Sequence, residues 1–330
     1  MEYRFLGQTG VRVSSLGFGT MSFGGDVDRS TSAKLFARCR DRGINLFDCA
    51  DVYAGGKSEE TLGKLIKGCR DEVVLASKAY FPTSDDVNAR GSSRYHLVHA
   101  VEASLKRLKT DHLDIYFLHR FDDVTAVEGA LRALQDLVTQ GKILYPALSN
   151  AAAWQTVKAL EIAKRHGWEP LCCVQPMYNL VKRQAEVEIL PMAVAEGMGV
   201  MPYSPTGAGL LTGKYGERKR PDGGRLVDNA MYKTRYAEAS YYKVAARFTE
   251  LARGRNLSPA ALAIAWVASH PAVTAPLIGA RNLEQLDECL EALDIDLDHG
   301  LRESISALSP TPPPATDRNE ESSEHNFGSR

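Results

Sequence analysis

Short apolar runs alternate with longer stretches of helical spacing along most of the chain. Residues 15–19 (SLGFG), 45–48 (NLFD), 73–77 (VVLAS), 113–119 (LDIYFLH), 143–149 (ILYPALS), 172–175 (CCVQ), 199–204 (GVMPYS) and 275–279 (APLIG) read as strands. Each precedes a segment with helical apolar spacing: near 30–42, 58–68, 93–108, 125–140, 153–166, 184–196, 242–254 with 258–269, and 283–293. Eight strand–helix repeats predict parallel βαβ units. Eight is also the number that closes a (β/α)8 TIM barrel, whereas open doubly wound sheets more often have about five or six strands.

Three segments fall outside this rhythm. Residues 2–15 (EYRFLGQTGVRVSS) place two strand-like runs around Gln8-Thr9-Gly10 and predict an N-terminal β-hairpin. Residues 206–241 are too long for a simple connection and predict a long loop over the carboxyl-terminal face of the barrel. Residues 310–330 carry the Pro, Glu and Ser of a disordered tail, so the expected organisation is one barrel over 1–309 and a C-terminal tail over 310–330.

Composition adds exclusions. With 44% hydrophobic and 25% charged residues the chain resembles an ordinary globular protein, and its net charge of −1 offers no global field for nucleic acid or an anionic membrane. MEYRFLGQTG lacks the pattern of a secretory leader, and no run of about 18 apolar residues occurs. A cytoplasmic location is expected. Cys39, Cys49, Cys69, Cys172, Cys173 and Cys289 lack CxxC spacing, which favours reduced thiols over a disulfide framework or structural zinc. Nothing in the composition marks an oligomer interface.

In such a barrel the chemistry lies at the carboxyl ends of the strands. Those ends supply Asp48, Lys78, His119, Ser149, Asn150, Gln175, Tyr203 and Ser204, with Tyr53 in the loop after the second strand. An acid ending an apolar run is costly to bury alone. Lys78 ends the next run as Asp48 ends its own, so the two can pair; a plain structural salt bridge is the competing reading. A cation beside Tyr53 is expected to favour the phenolate and make the phenol a better general acid. His119 could orient a carbonyl oxygen, although a histidine there is more often a satisfied core residue.

One His, one Asp and an intervening Lys, with no HxH pair, argue against a metal centre. The glycines of Gly17-Phe-Gly19-Thr-Met-Ser-Phe-Gly24 are mis-spaced for G-x-G-x-x-G, so no Rossmann fingerprint is present. A better anion candidate is LIGARNLEQL at 277–286, where Gly279 and Arg281 precede a helix start at Asn282. An Asn cap beside a solvated Arg is the plainer alternative.

The assembled residues resemble the aldo-keto reductase family, in the bacterial branch similar to the potassium-channel β subunits. The likeness rests on LGFGTM at 16–21, GINLFDCADVYAGGKSEETLG at 43–63, LASK at 75–78, VEASLKRLKTDHLDIYFLHRFD at 101–122, SN at 149–150, QPMYN at 175–179, YSPTGAGLLTGKY at 203–215 and LIGARNLEQL. It implies a barrel that binds NADPH (NADP+) without a Rossmann fold and reduces a small-molecule aldehyde or ketone. By this resemblance Tyr53 is the proton donor, Lys78 and Asp48 its tuning pair, and His119 the carbonyl orienter.

The resemblance also assigns Ser149, Asn150 and Gln175 to the nicotinamide carboxamide and Tyr203 to stacking under its ring. Ser204, Gly207, Leu210, Gly213 and Lys214 fall on the pyrophosphate loop. Gly19, Thr20 and Met21 fall beside the ribose. Arg281 falls on the adenosine 2′-phosphate, with Gln285 and Glu288 near the adenine. Departures are Cys289 in place of a common Asn, Thr206 in place of the Leu of YSPL, and YPALSNAA at 145–152. An auxiliary subunit that senses the cofactor and binds a protein partner, with only slow reduction, is the alternative function.

Overall fold

The computed structural model describes residues 1–325, and the last five positions of the expected tail lie outside the described residues. Two short strands, β1 (Tyr3–Phe5) and β2 (Arg12–Ser14), form the antiparallel hairpin predicted at the amino terminus. The strands that follow are β3 (Gly17–Gly19), β4 (Leu46–Asp48), β5 (Val74–Ala79), β6 (Leu113–Leu118), β7 (Ile143–Ser149), β8 (Cys173–Gln175), β9 (Gly199–Val200) and β10 (Leu277–Ile278). They form one parallel sheet in the order β10-β3-β4-β5-β6-β7-β8-β9. The sheet curls until its edges meet, with Ala275 N donating to Val200 O at 3.2 Å and Leu277 N to Pro202 O at 2.9 Å. Each of the eight strands is followed by helix, giving a TIM-barrel-like α/β fold.

Side-chain parity explains where the core sits. In a strand, alternate residues point to opposite faces. Leu46, Ala76, Ile115, Phe117, Ala147, Cys173 and Leu277 form one buried cluster inside the curl, whereas Phe47, Leu75, Tyr116, Leu118, Leu148, Val174 and Ile278 pack in the layer beneath the helices. Leu6 and Val13 of the hairpin join the inner cluster and are fully buried. Gly7, at φ +53°, lets the hairpin press on Cys172 and Gly199: a Cβ there would lie 2.7 Å from Cys172 O. The hairpin therefore plugs the end of the sheet opposite the strand carboxyl termini.

Several boundaries differ from the predicted ones for identifiable reasons. The run 199–204 yields only Gly199–Val200 and the run 275–279 only Leu277–Ile278, each shortened beside a proline that has no N–H to donate. The helix expected over 184–196 begins at Ile189, which puts Pro191 in the first turn, where a missing N–H costs nothing. The segment 206–241 is not a simple loop. It contains a 3-10 turn at Leu210–Thr212 and short helices at Arg225–Asp228 and Ala230–Arg235, with Leu210, Leu226, Tyr232 and Tyr236 buried. Beyond residue 309, the described residues contain a 3-10 turn at Asn319–Ser322. No helix among the described residues is long and apolar enough to cross a membrane.

Candidate active site

The inward parity continues past the apolar residues to the strand ends. Two positions after Leu46 comes Asp48, after Ala76 comes Lys78, after Phe117 comes His119, after Ala147 comes Ser149, and after Cys173 comes Gln175. The same period that fills the core thus aims these five polar side chains at one mouth. Tyr53 arrives from a turn over Tyr53–Gly56 in which Ala54, Gly55 and Gly56 all have positive φ, which swings the chain back across the strand ends.

Lys78 is fully buried and donates from Nζ to Asp48 Oδ2 at 2.6 Å, to Cys49 O at 2.6 Å and, more weakly, to the Tyr53 hydroxyl at 3.4 Å. The second Asp48 oxygen, Oδ1, accepts from Gln175 Nε2 at 2.9 Å. The carboxylate expected to need a partner therefore has two, which is what makes its burial tolerable. Burial alone would lower the Lys78 ammonium, but Asp48 and Tyr53 together outweigh it and the net direction is up.

One expectation is corrected. Lys78 does pull the Tyr53 phenol down, yet burial exceeds that pull and pushes the phenol up to about 12, with Asp48 adding to the rise. Tyr53 is consequently a neutral, protonated donor across the physiological range. His119 is held well below the ordinary imidazole range by burial and then by Lys78, so it too is neutral, with one N–H to donate. Its ring meets Tyr53 edge-on at 5.9 Å and Phe81 at 4.9 Å, and its Nδ1 is buried without a partner.

Ser149 donates to Gln175 O at 2.9 Å. Asn150, at φ +52°, donates to His119 O at 2.9 Å and accepts from the Tyr203 hydroxyl at 2.7 Å. Gly19, Met21, Asp48, Tyr53, His119, Ser149, Asn150, Gln175, Tyr203, Ser204 and Gly279 all line one cavity. Thr20 is buried behind it, bonded to Asp48 O and Ser58, and Leu210 is fully buried in the core. Gly207, Gly213, Lys214, Arg281, Gln285 and Glu288 stand away from the cavity wall.

The polar residues beyond that wall form a second group. The chain takes left-handed φ at Ser204, Gly207, Ala208, Gly209 and Gly213, a run of turns that ends at Lys214. Burial lowers the Lys214 ammonium, and Arg281 and Arg225 lower it further, against a smaller opposing push from Glu288. A lysine that feels Arg281 and the wall residue Arg225 beside a left-handed loop suits a ligand that carries phosphate, although Arg281 also pairs with Asp26 at 3.4 Å. Glu288 accepts from Ser258 Oγ at 2.8 Å, while Gln285 accepts from Arg281 N at 3.0 Å and caps the turn.

Sequence reasoning missed several wall residues: Phe81, Arg225, Met231, Tyr232 and Cys289. Cys289 enters the sequence reading only as a departure from a common Asn. The others come from connections without a period, so no pattern singled them out. Also missed was a buried acidic group behind the site. Glu59 is fully buried and held by Ser77 Oγ at 2.5 Å and Arg107 Nε at 2.6 Å. Asp51 is buried with neither carboxyl oxygen hydrogen-bonded, and burial followed by Glu59 pushes it up to about 7, against Arg107 and Lys78.

That carboxyl makes stability depend on pH. Its folded value of about 7 lies above the unfolded value of about 3.9. Between these limits the native state keeps a proton that the unfolded chain has lost, so stability falls as pH rises, with the full loss present above the folded value. The effect is on the order of 4 kcal/mol at most. Asp51→Asn is expected to flatten this slope, measured by urea unfolding at pH 5 and pH 8. Parallel wild-type and variant profiles would contradict it.

Residues 15–309 match the Aldo/keto reductase family, and the chain belongs to that family. It is accordingly an oxidoreductase of a family that acts on small carbonyl compounds with NAD(P)H. The uncharacterized oxidoreductase YrpG of Bacillus subtilis is 37% identical over 94% of this chain and 97% of its own length. A probable voltage-gated potassium channel subunit beta of Oryza sativa is 35% identical, covering 89% of this chain and 92% of its own. The versiconal hemiacetal acetate reductase of Aspergillus parasiticus is 32% identical over 90% of this chain and 94% of its own.

Proposed function

We propose that the curled sheet is a closed (β/α)8 barrel and that the protein is an NADPH-dependent reductase of aldehydes or ketones, with Tyr53 as general acid. The observation that carries this reading is the buried Lys78–Asp48 pair, 2.6 Å apart, beneath a phenol that borders the cavity. The dihydronicotinamide, when bound, supplies the hydride. The Tyr53 hydroxyl donates its proton to the carbonyl oxygen as that oxygen becomes an alcohol. Lys78 stabilises the phenolate left behind, and Asp48, itself held by Gln175, keeps Lys78 in place. Neutral His119 offers its N–H to the same oxygen.

Ser149, Asn150 and Gln175 are the groups suited to the carboxamide, and Tyr203 to the ring face. Lys214, Arg281 and Arg225 suit the phosphates, and it is Arg281 that supports NADPH over NADH, because a guanidinium matches a terminal phosphate bidentately. The 35% identity to a probable channel β subunit supports a second reading, an auxiliary subunit with slow turnover. A panel of simple aldehydes followed by cofactor absorbance separates the two. The expected result is turnover with kcat/KM at least about tenfold higher for NADPH than for NADH, the order of one charge-assisted contact. Binding of NADPH without turnover of any aldehyde would favour the auxiliary reading.

A further inference from the structure

Positive charge collects around the cavity. Arg281 and Arg225 both act on the Lys214 ammonium at the phosphate-suited end. Arg120 and Arg235 line the cavity as well, and Arg235 shares the Tyr232 ring with Arg225, at 5.2 Å and 5.7 Å from its centroid. Arg120 directly follows His119 and lines the cavity, with Asp123 at 3.7 Å as its ion-pair partner on the exposed side. Arg235 lines the same cavity from the short helix Ala230–Arg235 and is half-buried. No Asp or Glu among the described residues lies within 4.0 Å of its guanidinium; what steadies it is the Tyr232 ring at 5.2 Å and the Met231 sulfur at 3.7 Å. Its charge acts on Tyr203, the residue bonded to Asn150, pulling that phenol down against the rise imposed by burial.

The acidic side of the account is empty. Asp48 is the one carboxylate among the residues that line the cavity, and Lys78 and Gln175 already take its oxygens. Phe81, Tyr53 and Tyr232 line the same cavity and give it aromatic surface. A half-buried guanidinium with no carboxylate within 4.0 Å among the described residues, on a cavity that also holds aromatic rings and a proton donor, fits a planar anion on an apolar body.

Resting on the reductase reading, we propose that the substrate is an aldehyde or ketone bearing a carboxylate, which Arg235 binds while Arg120 adds a second positive charge at the rim. The carboxylate and the carbonyl occupy opposite ends of the substrate, so the anion holds the carbonyl toward Tyr53 and His119.

The test compares 4-carboxybenzaldehyde with its methyl ester. The ester is the more electron-withdrawing group, so intrinsic reactivity favours the ester and a preference for the acid must come from the protein. The expected wild-type result is a kcat/KM ratio of acid to ester of about 10 or more, the scale of one charge-assisted hydrogen bond. Arg235→Gln should lower that ratio about tenfold, chiefly through KM for the acid, and Arg235→Lys should retain an intermediate ratio. A wild-type ratio at or below 1, or a ratio that Arg235→Gln leaves unchanged, overturns the proposal. If neither aldehyde is turned over, the reductase reading fails separately. Calorimetric binding of benzoate then decides, with tenfold weaker binding to Arg235→Gln supporting the anion site and equal binding to both proteins overturning it.

Discussion

Tyr53→Phe is expected to lower kcat for aldehyde reduction by about 10²- to 10⁴-fold, the range for losing a positioned general acid. The variant removes one oxygen. The ring keeps its edge contact with His119, and Lys78 keeps its two 2.6 Å partners while losing only the 3.4 Å one. Folding and cofactor affinity should therefore change little, with NADPH Kd within about twofold, since the loss is confined to an interaction made in the transition state. Because burial places the phenol at about 12, the cofactor-free protein should show no titration of this group through neutrality. Single-turnover kinetics with NADPH and a model aldehyde provide the check. Wild-type rates in Tyr53→Phe would remove Tyr53 from the chemistry and leave the buried ion pair as architecture.

Lys78→Met should destabilise the fold by about 3–5 kcal/mol, because it leaves the Asp48 carboxylate buried with Gln175 as its only side-chain partner. Adding Asp48→Asn should recover much of that loss, since a neutral amide costs far less to bury than an unpaired charge. The double-mutant cycle in urea gives the coupling directly. A Lys78→Met protein as stable as the wild type would mean that solvent reaches Asp48, contrary to its 2% exposure. The pair contributes no pH dependence near neutrality through Lys78. Its folded value is raised, so its share of the stability is complete below the unfolded value of about 10.4 and is lost only as pH climbs through the folded one. Any slope between about pH 4 and 7 therefore points to groups such as Asp51.

These two variants separate roles that one geometry combines. Tyr53 touches the cavity and acts on chemistry, whereas Lys78 is sealed beneath it and serves both stability and the phenol. Arg235 is different again, since it borders the cavity and has no ion pair among the described residues to lose.

Within the chain itself, short apolar runs and the helical spacing between them were enough to read eight repeats, the hairpin and the polar residues that end the runs. Those features are local: a strand's parity is set by its own backbone, so Leu46 and Asp48 share a face whatever surrounds them. The boundaries near Pro191, Pro202 and Pro276 fell elsewhere than the reading placed them, although their cause, the missing N–H of proline, is equally local.

What depended on assembly was distance and desolvation. Whether Lys78 reaches Asp48, and whether burial or Lys78 governs the Tyr53 phenol, are sums over groups remote in sequence, and here burial prevailed over the neighbouring charge. The turn at Tyr53–Gly56, the fold of 206–241 that brings Arg225, Tyr232 and Arg235 to the wall, and the unpartnered Asp51 carry no period that a sequence could display. Alternation along a strand decides which way a side chain points, but only the curling of the sheet decides what it meets there, because contact energies and dielectric are properties of neighbours rather than of order along the chain.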